Sequence, residues 1–253
     1  MGQDAAIRDY LVQEGARFLD EERSDNLFED NDKATNVLLT DIEGHPHAFV
    51  LAAIMDRQIS AKHAWEIPIE FQRRRGWDDF SMEALLSLRR EDVRETFQKP
   101  PALHRYTEKM PELFFAGVKR INERYHDDAS EIWQGKPSSA AVIWRFLEFE
   151  GIGPKIANMA TNILVRDFKV DMSDYSSIDI SADAHVRRVF YRLGLVGTKD
   201  SVEQVIYRAK DLHPRFPGVL DLPTWDIGRS ICKRSKPRCT ECDLEGWCQK
   251  QGV

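Results

Sequence analysis

The sequence predicts an all-α fold, and three observations lead to this prediction. Strand signals are scarce, because few segments alternate apolar and polar residues. Apolar residues instead recur at helical spacing between turns that contain Gly, Pro or Asp. The 253 residues are 42% hydrophobic and 31% charged, which is enough apolar material for one large domain or two small ones. This composition excludes a disordered or fibrous chain.

Successive amphipathic segments predict the helices in chain order. One helical stripe is formed by Ile7, Tyr10, Leu11, Phe18 and Leu19. The segment from Pro46 to about Ile59 is apolar on almost every side, so we expect a buried helix there. Further helices are predicted at 61–75 (with a kink at Pro68), 82–98, 106–125 and 138–150. The sequence contains no internal repeat, low-complexity tract or long linker.

The sequence gives no indication of a membrane segment or an export signal. No stretch approaches the roughly 18 uninterrupted apolar residues that a membrane span requires. The acidic start MGQDAAIRDY lacks the basic and apolar character of an export signal. We therefore expect a soluble, cytoplasmic protein without a membrane partner.

Charge is distributed unevenly along the chain. The net charge is −6, but residues 1–45 carry 12 acidic and 4 basic side chains, whereas residues 184–238 carry 12 basic and 5 acidic ones. A basic stretch of this kind is typical of a surface that binds a polyanion. A solvated face would have the same composition, so both interpretations stay open on charge alone.

All four cysteines lie within the last 22 residues, at Cys232, Cys239, Cys242 and Cys248. Disulfides across such short loops would be unusual in an intracellular protein, so the group predicts a metal site with four thiolate ligands. The spacing C-x6-C-x2-C-x5-C contains one C-x2-C pair, whereas tetrahedral zinc sites usually contain two. The spacing therefore favours an iron–sulfur cluster, and zinc is the alternative.

The segment SSAAVIWRFLEFEGIGPKIANMATNILVRDF predicts two helices joined by a glycine-rich hairpin. Ser138 or Ser139 can cap the first helix. Gly151 and Gly153 permit a tight reversal, and Pro154 suits the first position of the second helix. Backbone N–H groups at the start of that helix offer a site for a phosphate, while a simple turn is the alternative.

Two residues beyond the turn are candidates for chemistry. Lys155 lies in the first turn of the second helix, where the helix dipole disfavours a cation. If the side chain is also partly buried, this position favours the neutral amine that a nucleophile requires. Asp183 precedes a helix with an apolar stripe of Val186, Val189, Phe190 and Leu193, so its carboxylate can cap the helix and also face a reacting atom. The alternatives are an ordinary exposed lysine and a plain helix cap.

The order of hairpin, lysine, aspartate and cysteine loop resembles the helix-hairpin-helix DNA glycosylases of the endonuclease III family. GIGPK is similar to the family hairpin that ends in a lysine nucleophile, which here is Lys155. DAHVRRV is similar to the family's aspartate motif, with Asp183 as the acid, and the cysteine spacing agrees with its four-iron, four-sulfur loop. FVLAAIMDRQISA resembles the helix that supplies a glutamine to the gap left by a flipped base, here Gln58. The likeness covers about residues 46–253.

The resemblance implies a two-lobed helix-hairpin-helix fold with DNA in the cleft between the lobes. A six-helix domain would occupy 46–165, and an iron–sulfur cluster domain would combine 1–45 with 166–253. The basic stretch would face DNA, and the acidic N-terminal segment would lie away from it. The DNA-binding residues implied are Gln58, Leu103, Gly151, Gly153, Lys233, Arg234 and Lys236. Leu103 lies in KPPALHR, where the family has a DNA-intercalating loop, and a core leucine is the alternative reading.

The sequence also departs from the family pattern. Lys155 and Asp183 are 28 positions apart, longer than the family spacing by about ten residues, and the additional segment RDFKVDMSDYSSIDISA contains further acids. Asp174 or Asp179 is therefore an alternative to Asp183, although only Asp183 stands directly before the helix. Ala61 stands where the family often has an acid. These changes surround the base pocket, so they affect the choice of substrate more than the type of reaction.

The resemblance implies a base excision repair enzyme, a monomer that binds double-stranded DNA at a damaged base or abasic site, close to the nucleoid. The expected activity is that of a DNA glycosylase with an associated lyase, acting on oxidised pyrimidines, with Lys155 as nucleophile and Asp183 as electrostatic helper. One alternative is a monofunctional glycosylase for alkylated, deaminated or mismatched bases. The other is a non-catalytic DNA-binding iron–sulfur protein.

Overall fold

The computed structural model describes residues 2–23, 32–198 and 201–253. Within these ranges the regular structure is helical and contains no strand, which confirms the predicted all-α fold. The helices are α1 (Gln3–Asp20), α2 (Lys33–Thr40), α3 (Pro46–Met55), α4 (Ala61–Arg75), α5 (Met82–Leu86), α6 (Arg90–Gln98), α7 (Lys109–Tyr125), α8 (Ser139–Leu147), α9 (Pro154–Arg166), α10 (Ala184–Leu193), α11 (Val202–Leu212) and α12 (Asp221–Ser230). Residues 24–31 of the acidic segment and residues 199–200 of the basic stretch lie outside the described residues.

The chain divides into two compact units. Unit 1 is composed of Met1–Glu22, Ser138–Ile143 and Asn158–Val253, and unit 2 is composed of Arg23–Pro137 and Trp144–Ala157. The division therefore falls within α8 and within α9. The domain boundaries expected from the sequence stay a prediction.

Helix α3 forms the centre of unit 2. All ten of its residues are buried, as its all-round apolar sequence predicts. Phe49 packs its ring against Trp65 and Phe146, at centroid distances of 5.3 and 6.5 Å. The helix ends at Met55 rather than near Ile59, because the backbone of Asp56 leaves the helical region. This early end places residues 56–60 in a connecting loop.

Other helix boundaries in unit 2 follow local capping. The predicted helix at 61–75 is confirmed by α4, which continues through Pro68, and Ser60 caps its N-terminus. The predicted helix at 82–98 is instead divided into α5 and α6. The carboxylate of Asp92 accepts a hydrogen bond from the Arg89 backbone N–H at 2.9 Å, and this capping contact starts a new helix.

Unit 1 is built around α1, α10 and α12. Ile7 and Leu11 of the predicted stripe are fully buried. Helices α10 and α12 approach closely at Gly228, where an added Cβ would lie 2.8 Å from the Cβ of His185. Because α12 leads directly to Cys232, this close approach fixes the start of the cysteine loop relative to Asp183. Among the described residues, no helix is long and apolar enough to cross a membrane.

Candidate functional site

The glycine-rich hairpin adopts the reversal that the sequence predicts. Helix α8 ends at Leu147 and α9 begins at Pro154. Gly151 has φ +99°, and a Cβ there would lie 2.9 Å from the Leu113 side chain, so this position requires glycine. The carbonyl of Gly153 accepts the first α9 hydrogen bond, from Ala157 N–H at 3.0 Å. The N–H groups that lie between Gly153 and Ala157 in the chain therefore have no acceptor within the helix.

Two contacts of Tyr125 anchor the turn to α7. Its hydroxyl donates a hydrogen bond to the Glu148 carboxylate at 2.7 Å. Its ring lies parallel to that of Phe149, with centroids 5.9 Å apart. The hairpin is thus held by a buried aromatic residue of α7, which gives the helix start a fixed position.

Lys155 is exposed in the first turn of α9. Among the described residues, its amine makes neither an ion pair nor a hydrogen bond. A neutral amine at this position would require Lys155 to be partly buried, and the described part of the chain does not bury it. An exposed amine without a partner is accessible to a substrate.

A carboxylate that the sequence analysis did not identify interacts electrostatically with Lys155. Asp56 follows α3 and accepts a hydrogen bond from the indole Nε1 of Trp65 at 3.4 Å. Burial raises the pKa of Asp56, while the positive charge of Lys155 and the Trp65 hydrogen bond oppose that rise. An acidic residue directly after an almost entirely apolar helix was the signal available in the sequence.

Gln58 and the 99–105 segment lie close together in unit 2. The exposed side chain next to Gln58, however, is Tyr106 and not the expected Leu103. Leu103 is 1% exposed and its N–H donates to the Phe97 carbonyl at 2.9 Å, so the structure supports the core alternative rather than an intercalating leucine. Tyr106 is 37% exposed. The Tyr106 hydroxyl donates to the side-chain oxygen of Gln58, which lies in the loop after α3 with φ 55°. An aromatic residue next to Arg105 was the signal available in the sequence.

Asp183 caps α10 in unit 1, as the sequence predicts. Its Oδ1 accepts hydrogen bonds from the N–H groups of His185 and Val186 at 2.8 and 2.9 Å. Among the described residues, Oδ2 has no hydrogen-bond partner. The carboxylate is therefore held by one oxygen and keeps the other available for a positive charge.

The two alternative acids of the long segment are occupied by structural contacts in unit 1. Asp174 accepts hydrogen bonds from the hydroxyls of Ser139 and Ser176 at 2.7 and 2.8 Å, and these bonds hold its pKa below the usual range. Asp179 forms an ion pair with Lys210 at 3.0 Å. Both carboxylates fasten the additional segment to the rest of unit 1.

A third carboxylate supports the backbone that leads to Asp183. Asp221 is buried at the start of α12 and accepts a hydrogen bond from the Ser181 N–H at 2.9 Å. The carbonyl of Ser181 in turn accepts from the Asp183 N–H at 2.5 Å. Burial raises the pKa of Asp221 to about 6, and the nearby charge of Asp183 adds to the effect.

The four cysteines of unit 1 line one cavity. Arg192, Ile231 and Pro237 contribute to the same wall. The described residues contain no group of three or more His, Cys, Asp or Glu side chains placed to hold a metal ion. The thiols are nevertheless close enough to interact electrostatically, since Cys232 and Cys248 both raise the pKa of the Cys242 thiol, after burial as the main cause.

Hydrogen-bond donors around the sulfur atoms suit thiolate ligands. The guanidinium of Arg192 donates to the Sγ of Cys232 at 3.4 Å, and the N–H of Lys250 donates to the Sγ of Cys248 at 3.4 Å. A backbone hydrogen bond from Leu244 opposes the pKa rise at Cys242. Such outer donors orient and stabilise the ligands of metal clusters. The donor set therefore fits a group bound by four thiolates.

The loop from Lys233 to Arg238 presents part of the basic stretch. Lys233, Arg234 and Lys236 are exposed and make no ion pairs among the described residues. Arg192 is only 5% exposed and donates to the carbonyls of Lys233 and Arg234 at 2.7 and 3.1 Å. The basic stretch therefore supplies both the exposed cations and an internal arginine that shapes their loop.

Known proteins are similar to this chain in sequence and in fold. No family model matches the chain. Endonuclease III of Thermotoga maritima is 25% identical over 167 residues, which cover 66% of this chain and 67% of that protein. Endonuclease III of Bacillus subtilis is 30% identical over 112 residues, which cover 41% of this chain and 43% of that protein. A solved structure described as a trapped endonuclease III–DNA covalent intermediate in an estranged-adenine complex aligns with a TM-score of 0.64 and 17% identity, over 99% of this chain and 97% of that one.

The sequence relatives and the structural match are all described as endonuclease III. The match of fold extends over almost the full length of both chains. The chain has the all-α fold of endonuclease III and is similar in sequence to endonuclease III proteins.

Proposed function

We propose that this protein is a base excision repair DNA glycosylase with an associated lyase activity, and that its substrates are oxidised pyrimidines in double-stranded DNA. The observation that carries the proposal is Lys155, an exposed amine without a partner among the described residues, directly after a glycine-rich hairpin. The sequence relatives named endonuclease III support the same reaction class.

Each proposed role follows from the surroundings of the residue. A base inside the duplex is out of reach of an enzyme side chain, so the nucleotide is extruded from the stack before reaction. The neutral amine of Lys155 attacks the anomeric carbon, the glycosidic bond breaks, and the electron pair of that bond leaves with the base. The attached amine then loses a proton and the C1′–O4′ bond of the sugar opens, which gives a Schiff base. Loss of a proton from C2′ of this Schiff base permits β-elimination of the 3′ phosphate. Asp183 stabilises the positive charge that develops on the sugar, through the carboxylate oxygen not used in helix capping.

Contacts to DNA are proposed for three groups of residues. The N–H groups of Lys155 and Ile156, which follow Gly151 and Gly153 in the first turn of α9, bind a phosphate, because the start of a helix carries partial positive charge. The loop cations Lys233, Arg234 and Lys236 contact further phosphates. Gln58 enters the space of the extruded nucleotide, and Tyr106 is the exposed apolar side chain beside it.

We infer that Cys232, Cys239, Cys242 and Cys248 hold a four-iron, four-sulfur cluster. Their common cavity and the hydrogen-bond donors to their sulfur atoms support this assignment. The bound cluster would supply a rigid four-point anchor for the loop from Lys233 to Arg238. The chain's own residues carry every step of base excision.

Borohydride trapping tests the proposal. The protein is incubated with borohydride and duplexes that carry an oxidised pyrimidine, a deaminated base, an alkylated base or a mismatch. We expect a covalent complex with the oxidised pyrimidine, and its loss in Lys155→Ala. Lys62→Ala is the matched control, because Lys62 is also the second residue of an exposed helix start in unit 2. Excision without trapping would indicate a monofunctional glycosylase, and binding without excision a non-catalytic protein.

A further inference from the structure

A second carboxylate of unit 1, that of Asp221, is connected to Asp183 through the backbone of Ser181. Oδ1 of Asp221 accepts a hydrogen bond from the Ser181 N–H at 2.9 Å, and the Ser181 carbonyl accepts one from the Asp183 N–H at 2.5 Å. Two hydrogen bonds and one residue therefore separate Asp221 from the residue that caps α10. A buried acid lies close to the carboxylate that is proposed to act on the sugar.

The segment that leads to Asp183 is fastened at a second point. The N–H of Gly218 donates to the carbonyl of Ile178 at 2.8 Å, and the carbonyl of Gly218 accepts from the side-chain amide of Asn162 at 2.8 Å. Gly218 belongs to the short turn Pro217–Leu220, which directly precedes Asp221. Hydrogen bonds at both ends of residues 178–181 therefore fix where Asp221 lies relative to this segment.

Few charged groups act on Asp221. The residue is 9% exposed, and the turn Pro217–Leu220 before it has no ionisable side chain. Arg166 of α9 lowers the pKa of the Asp221 carboxyl, and Asp183 raises it. Arg166 is already paired with Asp167 at 2.7 Å. Little positive charge is therefore left to neutralise Asp221 when it ionises.

Burial makes the negative charge of Asp221 unfavourable for the fold. It is the main reason why the pKa of this carboxyl rises to about 6, so that the group is mostly charged near neutral pH and mostly neutral at about pH 5. An uncharged side chain of the same shape would stabilise the fold more at neutral pH. A perturbed acid beside a group with a chemical role is typical of a functional site. We therefore looked for a use of this charge in the reaction rather than in folding.

We propose that Asp221 is a positioning residue for the reaction at Asp183, because its ionised carboxylate adds a second negative charge that strengthens the attraction of this site for the positively charged sugar. This inference rests on the proposed function. The sugar becomes positive as the glycosidic bond breaks, and a fixed negative charge stabilises that state across the weakly polarisable interior. Asp221 contacts no substrate atom in this scheme and acts through the field that it adds at Asp183.

The affinity for two abasic analogues tests the inference without excision. One analogue is a pyrrolidine, which carries a positive charge in place of the sugar, and the other is a neutral tetrahydrofuran of the same size. Fluorescence anisotropy gives the ratio of the two affinities for the wild type and for Asp221→Asn, at about pH 5 and about pH 7.5. We expect the preference for the cation to rise with pH about fivefold more in the wild type than in the variant, the order expected for one additional charge.

Asp221→Asn is suited to this comparison, because its side-chain oxygen can still accept from the Ser181 N–H and only the charge is lost. The histidines, His185 of α10 among them, are present in both proteins, so the difference between the two proteins isolates Asp221. Asp226→Asn is the matched control, since it removes an exposed carboxylate from the same helix and should leave the preference unchanged.

Single-turnover excision is the second measurement. The wild type and Asp221→Asn should excise at about equal rates at about pH 5, and the wild type should be about fivefold faster at about pH 7.5, where Asp221 is charged. Lys155 is the same in both proteins, so its contribution cancels in the ratio of the rates. Denaturant unfolding at both pH values confirms that the variants are folded. Because the variant is expected to be the more stable protein near neutral pH, slower excision there cannot result from unfolding.

A cation preference that changes with pH by the same factor in the wild type and in Asp221→Asn would overturn the inference. An excision loss of equal size at both pH values would overturn it as well, since it would indicate a structural role that does not depend on the charge. If the wild type excises no lesion, the proposed function fails, and the two analogues still decide whether Asp221 contributes its charge at Asp183.

Discussion

Arg192 donates a hydrogen bond to the Sγ of Cys232 at 3.4 Å. It also donates to the carbonyls of Lys233 and Arg234, the two residues that follow Cys232. A buried arginine of α10 thereby connects the first cysteine of the loop to the helix that Asp183 caps. The cysteine loop and the Asp183 carboxylate are for this reason parts of one structural arrangement within unit 1.

The first prediction concerns the group bound by the four cysteines. We expect the purified protein to be brown, with an absorbance band at about 400 nm and about four irons per chain, as is typical of a cubane cluster. Cys242→Ala should lower the iron content and the absorbance. Iron and zinc are measured by metal analysis on the same sample, and one zinc per chain without iron would show that the zinc alternative is right.

The second prediction separates Asp183 from the other acids of the long segment. Asp183→Asn keeps the size and much of the capping ability of the side chain but removes its charge, so excision should fall by about two orders of magnitude or more. DNA binding should persist, as measured by anisotropy. Asp174→Asn and Asp179→Asn, which alter carboxylates engaged by serines and by Lys210, serve as matched comparisons and should reduce excision far less. Loss of excision in Asp179→Asn but not in Asp183→Asn would assign the role to Asp179.

The third prediction concerns the basic loop. Because Arg234 and Lys236 are exposed and unpaired among the described residues, we expect them to contact phosphates. Reversing both charges should weaken binding to all sequences alike and reduce the slope of log affinity against log salt by about 2. Reversal of Arg238, which is paired with Glu241 at 2.6 Å, is the comparison with a smaller expected effect. Affinity that does not change with salt would contradict the assignment of this surface.

The fourth prediction concerns the buried carboxyl of Asp221. Burial raises its pKa from 3.8 to about 6, so the folded protein binds this proton more tightly than the unfolded chain does. Ionisation of Asp221 therefore lowers the free energy of unfolding as pH rises from about 4 to 6, by up to about 3 kcal/mol. Asp221→Asn keeps an oxygen to accept from the Ser181 N–H and should be more stable than the wild type at pH 7, but not at pH 4.

Denaturant unfolding of the wild type and of Asp221→Asn at the two pH values measures this difference. Asp226→Asn is the control, because Asp226 lies on the same helix with an exposed side chain. A stability gain of equal size at both pH values would mean that the charge of Asp221 is not its cause.

Local sequence patterns determined the helices and several of their ends. Helix α4 spans the predicted residues 61–75, and Asp183 caps α10 where a carboxylate stands directly before an apolar stripe. These features depend on residues three or four positions apart, which the sequence displays directly. The order of hairpin, aspartate and cysteines likewise pointed to the endonuclease III-like fold. The chemical roles assigned to Lys155 and Asp183 stay predictions.

Packing between distant segments decided which side chains are available at the surface. Leu103 and Tyr106 are three positions apart in one loop, and the sequence did not reveal that the leucine enters the core while the tyrosine reaches Gln58, 48 positions earlier. The sequence alone would assign Arg192 to the charged surface. In the structure its guanidinium instead points inward and donates to the carbonyls of the cysteine loop. The direction of a side chain depends on the elements that cover it, so only the tertiary structure determines which of two neighbouring residues meets the solvent.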